Sequence, residues 1–171
     1  MEGHNFNFEG MGKMRSASFN EDEIMDFIEV KEHMKVLDLG AGDGFFAQMF
    51  ASRRAIVTAV DRDNRYFGDM NNIGISTIKK DICSFNDGTY DIVFMANVLH
   101  DLDCQERVAN SISAMARNRL AIIEFKDDAP FGPPVNMRLS PDAVRSIFEA
   151  VWFRLSRKKE LKYHYILLFE K

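Results

Sequence analysis

Apolar residues occur along this chain in short runs that are separated by stretches of helical spacing. Five runs have the length and the β-branched composition of buried strands, and they lie at residues 36–39, 55–61, 75–80, 90–96 and 119–125. Between the runs, apolar residues recur every three or four positions, which predicts amphipathic helices at 43–53 and 101–115. Strands that alternate with helices form a parallel sheet covered on both faces. The pattern therefore predicts an α/β fold.

The two ends of the chain depart from this alternation. Apolar runs at 152–156 and 163–169 follow each other with only a polar stretch between them, which predicts an antiparallel hairpin. Ser140 and Asn20 are typical N-cap residues and predict one helix before this hairpin and another before the first strand. Residues 1–18 show no sustained period and are predicted to form a loosely ordered arm.

Composition and charge exclude several classes of protein. At 171 residues the chain is expected to form a single domain. The 22 basic and 26 acidic residues give a net charge of −4, which argues against a strongly electrostatic nucleic-acid binder. No apolar run could cross a bilayer and the start lacks the features of a secretion signal, so a cytoplasmic protein is expected. Cys83 and Cys104 stand alone, without a C-x-x-C or metal-like spacing, which fits a reducing compartment and predicts no metal site.

The most informative stretch is a glycine-rich turn after the first predicted strand. Gly40, Gly42 and Gly44 stand at alternate positions between that strand and the helix at 43–53. Such glycines free the backbone and remove side chains, so a ligand can lie against the main chain. A strand, a glycine turn and a helix N-terminus in this order are typical of the nucleotide-cofactor end of a doubly wound sheet.

Two kinds of cofactor compete for this turn. The dinucleotide fingerprint G-x-G-x-x-G requires its third glycine where this chain has Phe45. A diphosphate also needs positive potential at the helix N-terminus. This turn instead carries Asp38 and Asp43, with no Lys or Arg between Val36 and Arg53. Two carboxylates disfavour a diphosphate and favour a ligand with an amine or another cation, such as S-adenosylmethionine.

Residues 36–44, Val-Leu-Asp-Leu-Gly-Ala-Gly-Asp-Gly, resemble motif I of the class I S-adenosylmethionine-dependent methyltransferases, the D/E-x-G-x-G-x-G turn. The strand that begins Tyr-Asp-Ile-Val at 90–93 and the following Asn-Val-Leu-His at 97–100 are similar to a later motif of that family. The Gly-Pro-Pro at 132–134, followed by Arg-Leu-Ser-Pro, resembles small prokaryotic members of its type 11 group, which are similar to ubiquinone and menaquinone biosynthesis enzymes. At 117–119 this chain has Arg-Asn-Arg where the family usually has a Pro-Gly turn.

The resemblance covers about residues 34–170 and implies a complete fold. That fold is Rossmann-like, with a mostly parallel seven-stranded sheet, an antiparallel C-terminal hairpin and helices on both faces. It implies one methyltransferase domain over residues 1–171, with the cofactor-binding core at 34–171. In this family the segment before motif I often folds over the cofactor, so residues 1–33 are expected to act either as a lid or as a loose arm and helix.

The resemblance also implies a set of cofactor-binding residues at the carboxyl ends of the strands. Asp61 lies about 20 residues after the glycine turn, where an acid can accept hydrogen bonds from both ribose hydroxyls. Asp81 is expected near the adenine amino group, with Ile82 against the ring, and residues around Asn97 flank the methionine part. The alternative for either acid is a solvated carboxylate at a strand end. The predicted set comprises Asp38, Gly40, Ala41, Gly42, Asp61, Arg62, Asp81, Ile82, Asn97 and Val98.

His100 is the leading candidate for acid–base chemistry. It lies in the turn after the fourth strand, at the edge of the sheet where α/β proteins bind ligands. A neutral imidazole near pH 7 can take a proton from a nucleophile. The alternative, which we favour at this point, is that His100 caps or packs the following helix and orders the turn. Asp101 and Glu124 are the next candidates for a general base.

These motifs favour an S-adenosylmethionine-dependent methyltransferase. The alternative is a non-catalytic S-adenosylmethionine-binding subunit that acts through a partner, while the charges of the turn oppose an NAD-dependent oxidoreductase. The arm, the turn at 97–103 and the loop at 126–139 contain aromatic and Met residues but few charges, which predicts a small, partly apolar acceptor. No nucleic-acid partner and no membrane insertion are expected. The sequence leaves the acceptor and the oligomeric state open.

Overall fold

A seven-stranded sheet forms the centre of the computed structural model, which describes residues 19–171. The strand order is β3-β2-β1-β4-β5-β7-β6. The first five strands run parallel, whereas β7 is antiparallel to both of its neighbours. The strands are β1 Lys35–Leu39, β2 Ile56–Asp61, β3 Ser76–Lys79, β4 Tyr90–Ala96, β5 Ala116–Phe125, β6 Arg154–Glu160 and β7 His164–Glu170. The predicted fold class is confirmed.

Helices cover both faces of the sheet, as the alternating pattern predicts. The α-helices are α1 Glu21–Ile28, α2 Phe45–Ser52, α3 Phe67–Asn72, α4 Gln105–Met115 and α5 Pro141–Glu149. Short 3-10 helices lie at Ile82–Ser84, Leu99–Asp101 and Val135–Met137. Helices α4 and α5 bury residues such as Ile112 and Phe148 on one face, while α1 and α2 bury Met25 and Phe50 on the other. None of the helices between residues 19 and 171 combines the length and the apolar content that crossing a membrane requires.

Helix α1 is docked firmly on the sheet. The side chain of Asn20 caps it by accepting from the main-chain N–H of Glu23, as the sequence predicts. At its other end, Arg119 of β5 and Arg157 of β6 both donate to the carboxylate of Glu29 and to main-chain carbonyls of the last turn. Cations at a helix C-terminus also complement the helix dipole. Of residues 1–33, which are predicted to act as a lid or as a loose arm and helix, residues 1–18 lie outside the described residues.

The C-terminal hairpin is longer than its apolar pattern predicts. The sequence places Lys158–Glu160 in the connection, but these residues belong to β6 and pair with β7 through Lys159 opposite Ile166. The prediction was wrong because β6 is the edge strand, so alternate side chains face solvent and the run looks polar. Strand β5 likewise begins at Ala116 rather than Arg119.

The two cysteines form a disulfide, which corrects the expectation that they stand alone. Cys83 and Cys104 are 21 residues apart in sequence, and their Cα atoms are 5.9 Å apart. Cys83 lies in the 3-10 helix after β3, and Cys104 is the residue before α4. Spacing along the chain could not reveal the pair, because the intervening strand β4 runs through the centre of the sheet and brings the two loops together in space.

Candidate functional site

A cleft of about 380 Å³ opens at the carboxyl ends of β1, β2 and β4. Strand β1 pairs with β2 on one side and with β4 on the other, so the cleft lies at the point where the chain switches direction in the sheet. Eight predicted cofactor residues line it, namely Gly40, Gly42, Asp61, Arg62, Asp81, Ile82, Asn97 and Val98. The other two, Asp38 and Ala41, are buried and are not part of its lining.

The glycine turn forms the floor of this cleft. Gly42 has φ of +55°, and a Cβ atom added to it would meet nothing within 4 Å among residues 19–171. Gly40 has φ of +78°, and a Cβ there would lie 2.5 Å from Val98. At Gly40, both packing and backbone conformation require glycine. At Gly42, the backbone conformation alone favours glycine, and the space in front of it is empty among the described residues.

Asp61 joins the glycine turn to the end of β2. Its Oδ2 accepts from the main-chain N–H of Gly42 at 2.8 Å, and its Oδ1 accepts from the N–H of Asp63 at 2.8 Å. Each carboxylate oxygen has two lone pairs and so retains acceptor capacity toward the cleft. Asp61 thus both fixes the turn and presents a carboxylate to the cleft.

An apolar wall and a capping acid close one side of the cleft. Ile82 is 9% exposed, and its Cδ1 lies 3.3 Å from the position of a Cβ on Gly40. Val98 approaches the same position from the turn after β4. Asp81 accepts from the main-chain N–H of Cys83 at 2.8 Å, which fixes the start of the 3-10 helix and leaves the exposed acid at the rim.

Asp38 is a buried carboxyl group beneath the glycine turn. It is 2% exposed, and its Oδ2 has no hydrogen-bond partner among the described residues. Burial, together with the negative charges of Asp61 and Asp43, raises the pKa of Asp38 to about 7, although a hydrogen bond from the main chain of Ala47 opposes this. A positive charge bound nearby would stabilise the ionised form of Asp38.

Asn97, which lines the cleft in the turn after β4, supplies a second buried acceptor. Its main chain has φ of +57°, a conformation that Asn tolerates better than most residues. Its main-chain N–H donates to the carbonyl of Ile123 at 2.8 Å, while its Oδ1 is buried without a partner among residues 19–171. Buried polar atoms are nearly always hydrogen-bonded, so an unsatisfied acceptor beside a cleft indicates a ligand donor.

His100 lies behind the turn and is held by Glu124. The imidazole is 4% exposed and the Glu124 side chain is fully buried. The imidazole Nδ1 donates to Glu124 Oε2 at 2.7 Å, and the main-chain N–H of His100 donates to Oε1 at 3.2 Å. Because a carboxylate only accepts, the free lone pair of a neutral imidazole stays on Nε2, which is 3.5 Å from Asp101 Oδ1.

The charges around His100 favour its protonated form. Burial alone would lower the pKa of the imidazole, but the hydrogen bond to Glu124 and the charges of Glu124 and Asp101 outweigh burial, so the pKa of His100 is raised. The double contact with Glu124 directly supports the ordering of the turn at 97–102. It also leaves Nε2 next to Asp101, which lines the cleft.

Aromatic side chains form a wall beside the cleft, at the ends of β5 and β7. This aromatic wall consists of Phe19, Phe125, Phe131, Tyr163 and His164. The ring centroids of Phe125 and His164 are 4.4 Å apart, those of Phe19 and His164 are 4.7 Å apart, and those of Phe131 and Tyr163 are 5.0 Å apart. Phe125 also lies 6.0 Å from the His100 ring, which connects the wall to the turn at the cleft.

Arg138 holds together the proline-containing loop that carries Phe131. Its guanidinium lies 6.0 Å from the centroid of the Phe125 ring. It donates five hydrogen bonds of 2.7 to 3.1 Å to the main-chain carbonyls of Lys126, Asp127, Ala129, Phe131 and Pro133. One side chain therefore replaces the regular backbone pairing that this loop lacks.

Sequence reasoning missed several residues of the site. Asp63, Arg65, Tyr66 and Leu102 line the cleft, although no motif singled them out. The signal that could have found the first three is their position, because they directly follow a strand whose carboxyl end faces the cleft. Among residues 19–171, no group of three or more His, Cys, Asp or Glu side chains is placed to hold a metal ion.

Comparisons with known proteins agree with this geometry. Residues 37–119 match the family model of a methyltransferase domain of type 11. A crystal structure of an S-adenosylmethionine-dependent methyltransferase from Aquifex aeolicus is similar over 97% of this chain and 99% of its own, with 25% identity and a TM-score of 0.84. No curated protein matches the sequence.

Two more distant structures share the fold. The magnesium protoporphyrin IX methyltransferase of Synechocystis is 16% identical, with a TM-score of 0.73, over 100% of this chain and 90% of its own. The 1,6-didemethyltoxoflavin-N1-methyltransferase of Burkholderia thailandensis is also 16% identical, with a TM-score of 0.72, over 88% of this chain and 76% of its own. The predicted activity class is confirmed. The domain match and the similarity to the Aquifex structure support a class I methyltransferase of the type 11 group, with S-adenosylmethionine as the methyl donor.

Proposed function

We propose that this enzyme transfers the methyl group of S-adenosylmethionine to a small-molecule acceptor that binds beside the aromatic wall. The observation that carries the proposal is a pair of buried acceptors without partners among the described residues, Asn97 Oδ1 in the cleft lining and Asp38 Oδ2 beneath the glycine turn that forms the floor. A ligand with a cationic amino-acid end and an uncharged nucleoside end fits this arrangement. A diphosphate would meet the carboxylates of Asp38, Asp43 and Asp61.

Each part of the cofactor has a matching group in the cleft. Asn97 would accept from the ammonium group of the methionine part, which passes over Gly42, and the buried carboxylate of Asp38 would stabilise that positive charge from beneath the turn. Asp61 would accept from the ribose hydroxyls, with Arg62 at the rim. These assignments use acceptor capacity that the hydrogen bonds within the protein leave free.

The nucleoside end would lie against the other wall. Ile82 and Val98 would flank the adenine ring, and the rim carboxylate of Asp81 would accept from its amino group. Gly40 and Ala41 complete the turn, and their main-chain N–H groups both donate to the carbonyl of Val60. The turn is therefore shaped before a ligand binds.

The acceptor is proposed to be small and partly apolar. Phe125, Phe131 and Tyr163 are half-buried, so they present aromatic surface at the sheet edge that also carries the cleft. The Burkholderia relative was crystallised with bound 1,6-didemethyltoxoflavin, and the Synechocystis relative is named for magnesium protoporphyrin IX. By analogy, a planar aromatic compound is the first class of acceptor to test.

Methyl transfer mainly requires positioning. S-adenosylmethionine supplies an electrophilic methyl group on a sulfonium. The protein has to hold the acceptor atom in line with that group and exclude water. The aromatic wall and the loop fixed by Arg138 would perform both tasks. A proton acceptor is needed only where the acceptor atom arrives protonated.

A proton from the acceptor would leave through Asp101 and His100. Asp101 lines the cleft, and its Oδ1 is 3.5 Å from Nε2 of His100. Glu124 keeps the proton of a neutral imidazole on Nδ1, which leaves Nε2 free to receive the next one. The raised pKa of His100 makes the imidazole a stronger base than an isolated one.

Transfer of a labelled methyl group tests the proposal. The purified protein would be incubated with S-adenosylmethionine carrying a labelled methyl group and with panels of phenols, aromatic amines and aliphatic alcohols, and in parallel with RNA and with protein. We expect label in a planar aromatic product with the wild type and none with Gly42→Val. Label that appears only in RNA or protein would contradict a small-molecule acceptor.

A further inference from the structure

The geometry points to the Cys83–Cys104 disulfide as a redox-sensitive clamp that sets how tightly the cleft binds its cofactor. This inference rests on the proposed cofactor site and adds a means of regulating it. The disulfide joins the 3-10 helix that follows β3 to the residue that precedes α4. Both segments carry residues that line the cleft.

The clamp directly adjoins cleft residues on both sides. Cys83 follows Asp81 and Ile82, which line the cleft on the nucleoside side. Cys104 comes two residues after Leu102, at the end of the turn that supplies Asn97, Val98, Asp101 and Leu102 to the lining. The covalent bond therefore limits how far one part of the cleft can move from the other.

The two segments meet at the glycine turn, where small displacements matter. Ile82 and Val98 both approach the side of Gly40 that lacks a Cβ atom, and they lie 3.3 Å and 2.5 Å from the point that such an atom would occupy. Asp81 accepts from the main-chain N–H of Cys83, so a shift of Cys83 also moves the rim carboxylate. Breaking the disulfide would thus allow Ile82 and Asp81 to move together.

The fold does not depend on the disulfide alone. Ile82 and Phe85 lie in the same buried cluster as Val108, Ala109 and Ile112 of α4. This apolar packing would keep the 3-10 helix near α4 after the bond is broken. We therefore expect reduction to loosen the walls of the cleft without unfolding the protein.

The redox step is a simple exchange. A dithiol reductant attacks one sulfur, forms a mixed disulfide, and then closes on itself to release the second thiol. The protein disulfide gains two electrons and two protons and becomes two thiols, while the dithiol is oxidised to its cyclic disulfide. Cys83 and Cys104 are both half-buried rather than enclosed, so a small dithiol can reach them.

Cofactor affinity should fall when the clamp is opened. In the oxidised protein the two walls are already held in place, whereas in the reduced protein binding must also restrict their motion. Because the reduced protein has to order a few more side chains and backbone angles when it binds, we expect its affinity to be roughly three- to thirtyfold weaker than that of the oxidised protein. The same argument predicts little change in the aromatic wall, which lies on other strands.

The test is a calorimetric titration with S-adenosylhomocysteine, carried out on the same preparation in its oxidised, dithiothreitol-reduced and reoxidised states. Alkylation of free thiols followed by mass spectrometry reports the state of both cysteines in each sample. Circular dichroism in each state reports whether the fold persists. The control is Cys83→Ser combined with Cys104→Ser, which should bind with the reduced affinity whether or not dithiothreitol is present.

The expected result is a severalfold loss of affinity on reduction, its recovery on reoxidation, and no response in the double variant. Equal affinity in the oxidised and reduced wild type would overturn the clamp and leave the cofactor site intact. Free thiols on both cysteines after mild oxidation would overturn it as well. Failure of both forms to bind the ligand would instead overturn the proposed cofactor site, and the clamp with it.

Discussion

The cleft that we propose for the cofactor and the aromatic wall lie at the same end of one sheet but are built in different ways. The cleft uses main-chain groups of a glycine turn and carboxylates at strand ends, all supplied by residues 38–102. The aromatic wall uses rings from the ends of β5 and β7, from the loop at 126–139 and from Phe19. Its shape depends on Arg138, which bonds to five carbonyls of that loop.

This difference indicates a division of labour. Main-chain geometry suits a ligand that never changes, because it requires particular backbone conformations and tolerates few substitutions. A wall of side chains on a loop can be altered without disturbing the sheet, which suits an acceptor that differs from one enzyme to another. If this is correct, substitutions in the cleft should change cofactor affinity, and substitutions in the wall should change only turnover and acceptor binding.

The largest effect is expected for Gly42→Val. The branched side chain would fill the open space above the turn, and φ of +55° is unfavourable for a β-branched residue. We expect S-adenosylhomocysteine affinity to fall more than a hundredfold, as measured by calorimetry. Gly68→Ala is the matched control, because Gly68 lies in helix α3, where an added Cβ meets nothing within 4 Å, and this variant should bind normally.

His100→Gln tests the connection between the two regions. Glutamine can still donate to Glu124 but cannot accept a proton near neutral pH, so turnover should fall by about a hundredfold, at the lower end of acid–base contributions. Wild-type turnover should fall as the pH drops through the raised pKa of His100, since only the neutral imidazole accepts a proton. The variant should lose this dependence and keep its cofactor affinity. Equal rates for both proteins would leave His100 with the role of ordering the turn.

Asp61→Asn should weaken cofactor binding by roughly ten- to a hundredfold. A hydrogen bond to a charged group is worth about 1.5–3 kcal/mol, and the amide would offer one acceptor oxygen in place of two. Asp87→Asn is the control, because Asp87 is an exposed acid whose carboxylate lies 3.6 Å from the Lys80 ammonium and is not part of the cleft lining. Unchanged affinity in Asp61→Asn would remove the ribose assignment.

Arg138→Lys should affect only the aromatic wall. Lysine keeps the charge but cannot make the five carbonyl contacts, so the loop at 126–139 should exchange its amide hydrogens faster. Acceptor KM should rise severalfold once an acceptor is known, and cofactor affinity should stay within twofold. Arg145→Lys, on the exposed surface of α5 and paired with Glu149, should change neither property. A loss of cofactor affinity in Arg138→Lys would show that the two regions are not independent.

Asp38→Asn should raise the stability of the protein at high pH and weaken cofactor binding. In the folded protein the pKa of Asp38 is raised from 3.8 to about 7, so the stability it contributes is fully present below pH 3.8 and is lost as the pH rises through 7. The stability that the wild type loses in this way is at most about 4 kcal/mol. The variant avoids this loss, but its buried amide donor lacks a partner, which costs about 1–3 kcal/mol. We expect a melting temperature a few degrees higher than that of the wild type at pH 8, no gain near pH 4, and severalfold weaker cofactor binding. A variant less stable than the wild type at pH 8 would contradict a strained Asp38.

The sheet could be predicted because its signals are local. Tyr90–Ala96 is apolar except for Asp91, and its bounds in the structure are those predicted from the sequence. The caps at Asn20 and Ser140 also depend on residues three positions apart. The glycine turn and the acid of Asp61 are recognisable in the same way, since each follows directly from a strand end.

The features that the sequence did not reveal depend on contacts between distant segments. Glu124 bonds to His100 across 24 residues, and Cys83 pairs with Cys104 across 21. Arg138 looks like part of a surface loop in the sequence, and nothing in its neighbours indicates that it bonds to carbonyls as far away as Lys126. Such pairings are set by the three-dimensional fold, so a single sequence shows the residues but not their partners.

The most direct measurement is a parallel calorimetric titration of the wild-type protein with S-adenosylmethionine, S-adenosylhomocysteine and NAD. The acidic cleft with an open glycine floor predicts micromolar binding of both sulfur compounds and none of NAD. Binding of NAD alone, or of none of the three, would contradict the account of the cleft.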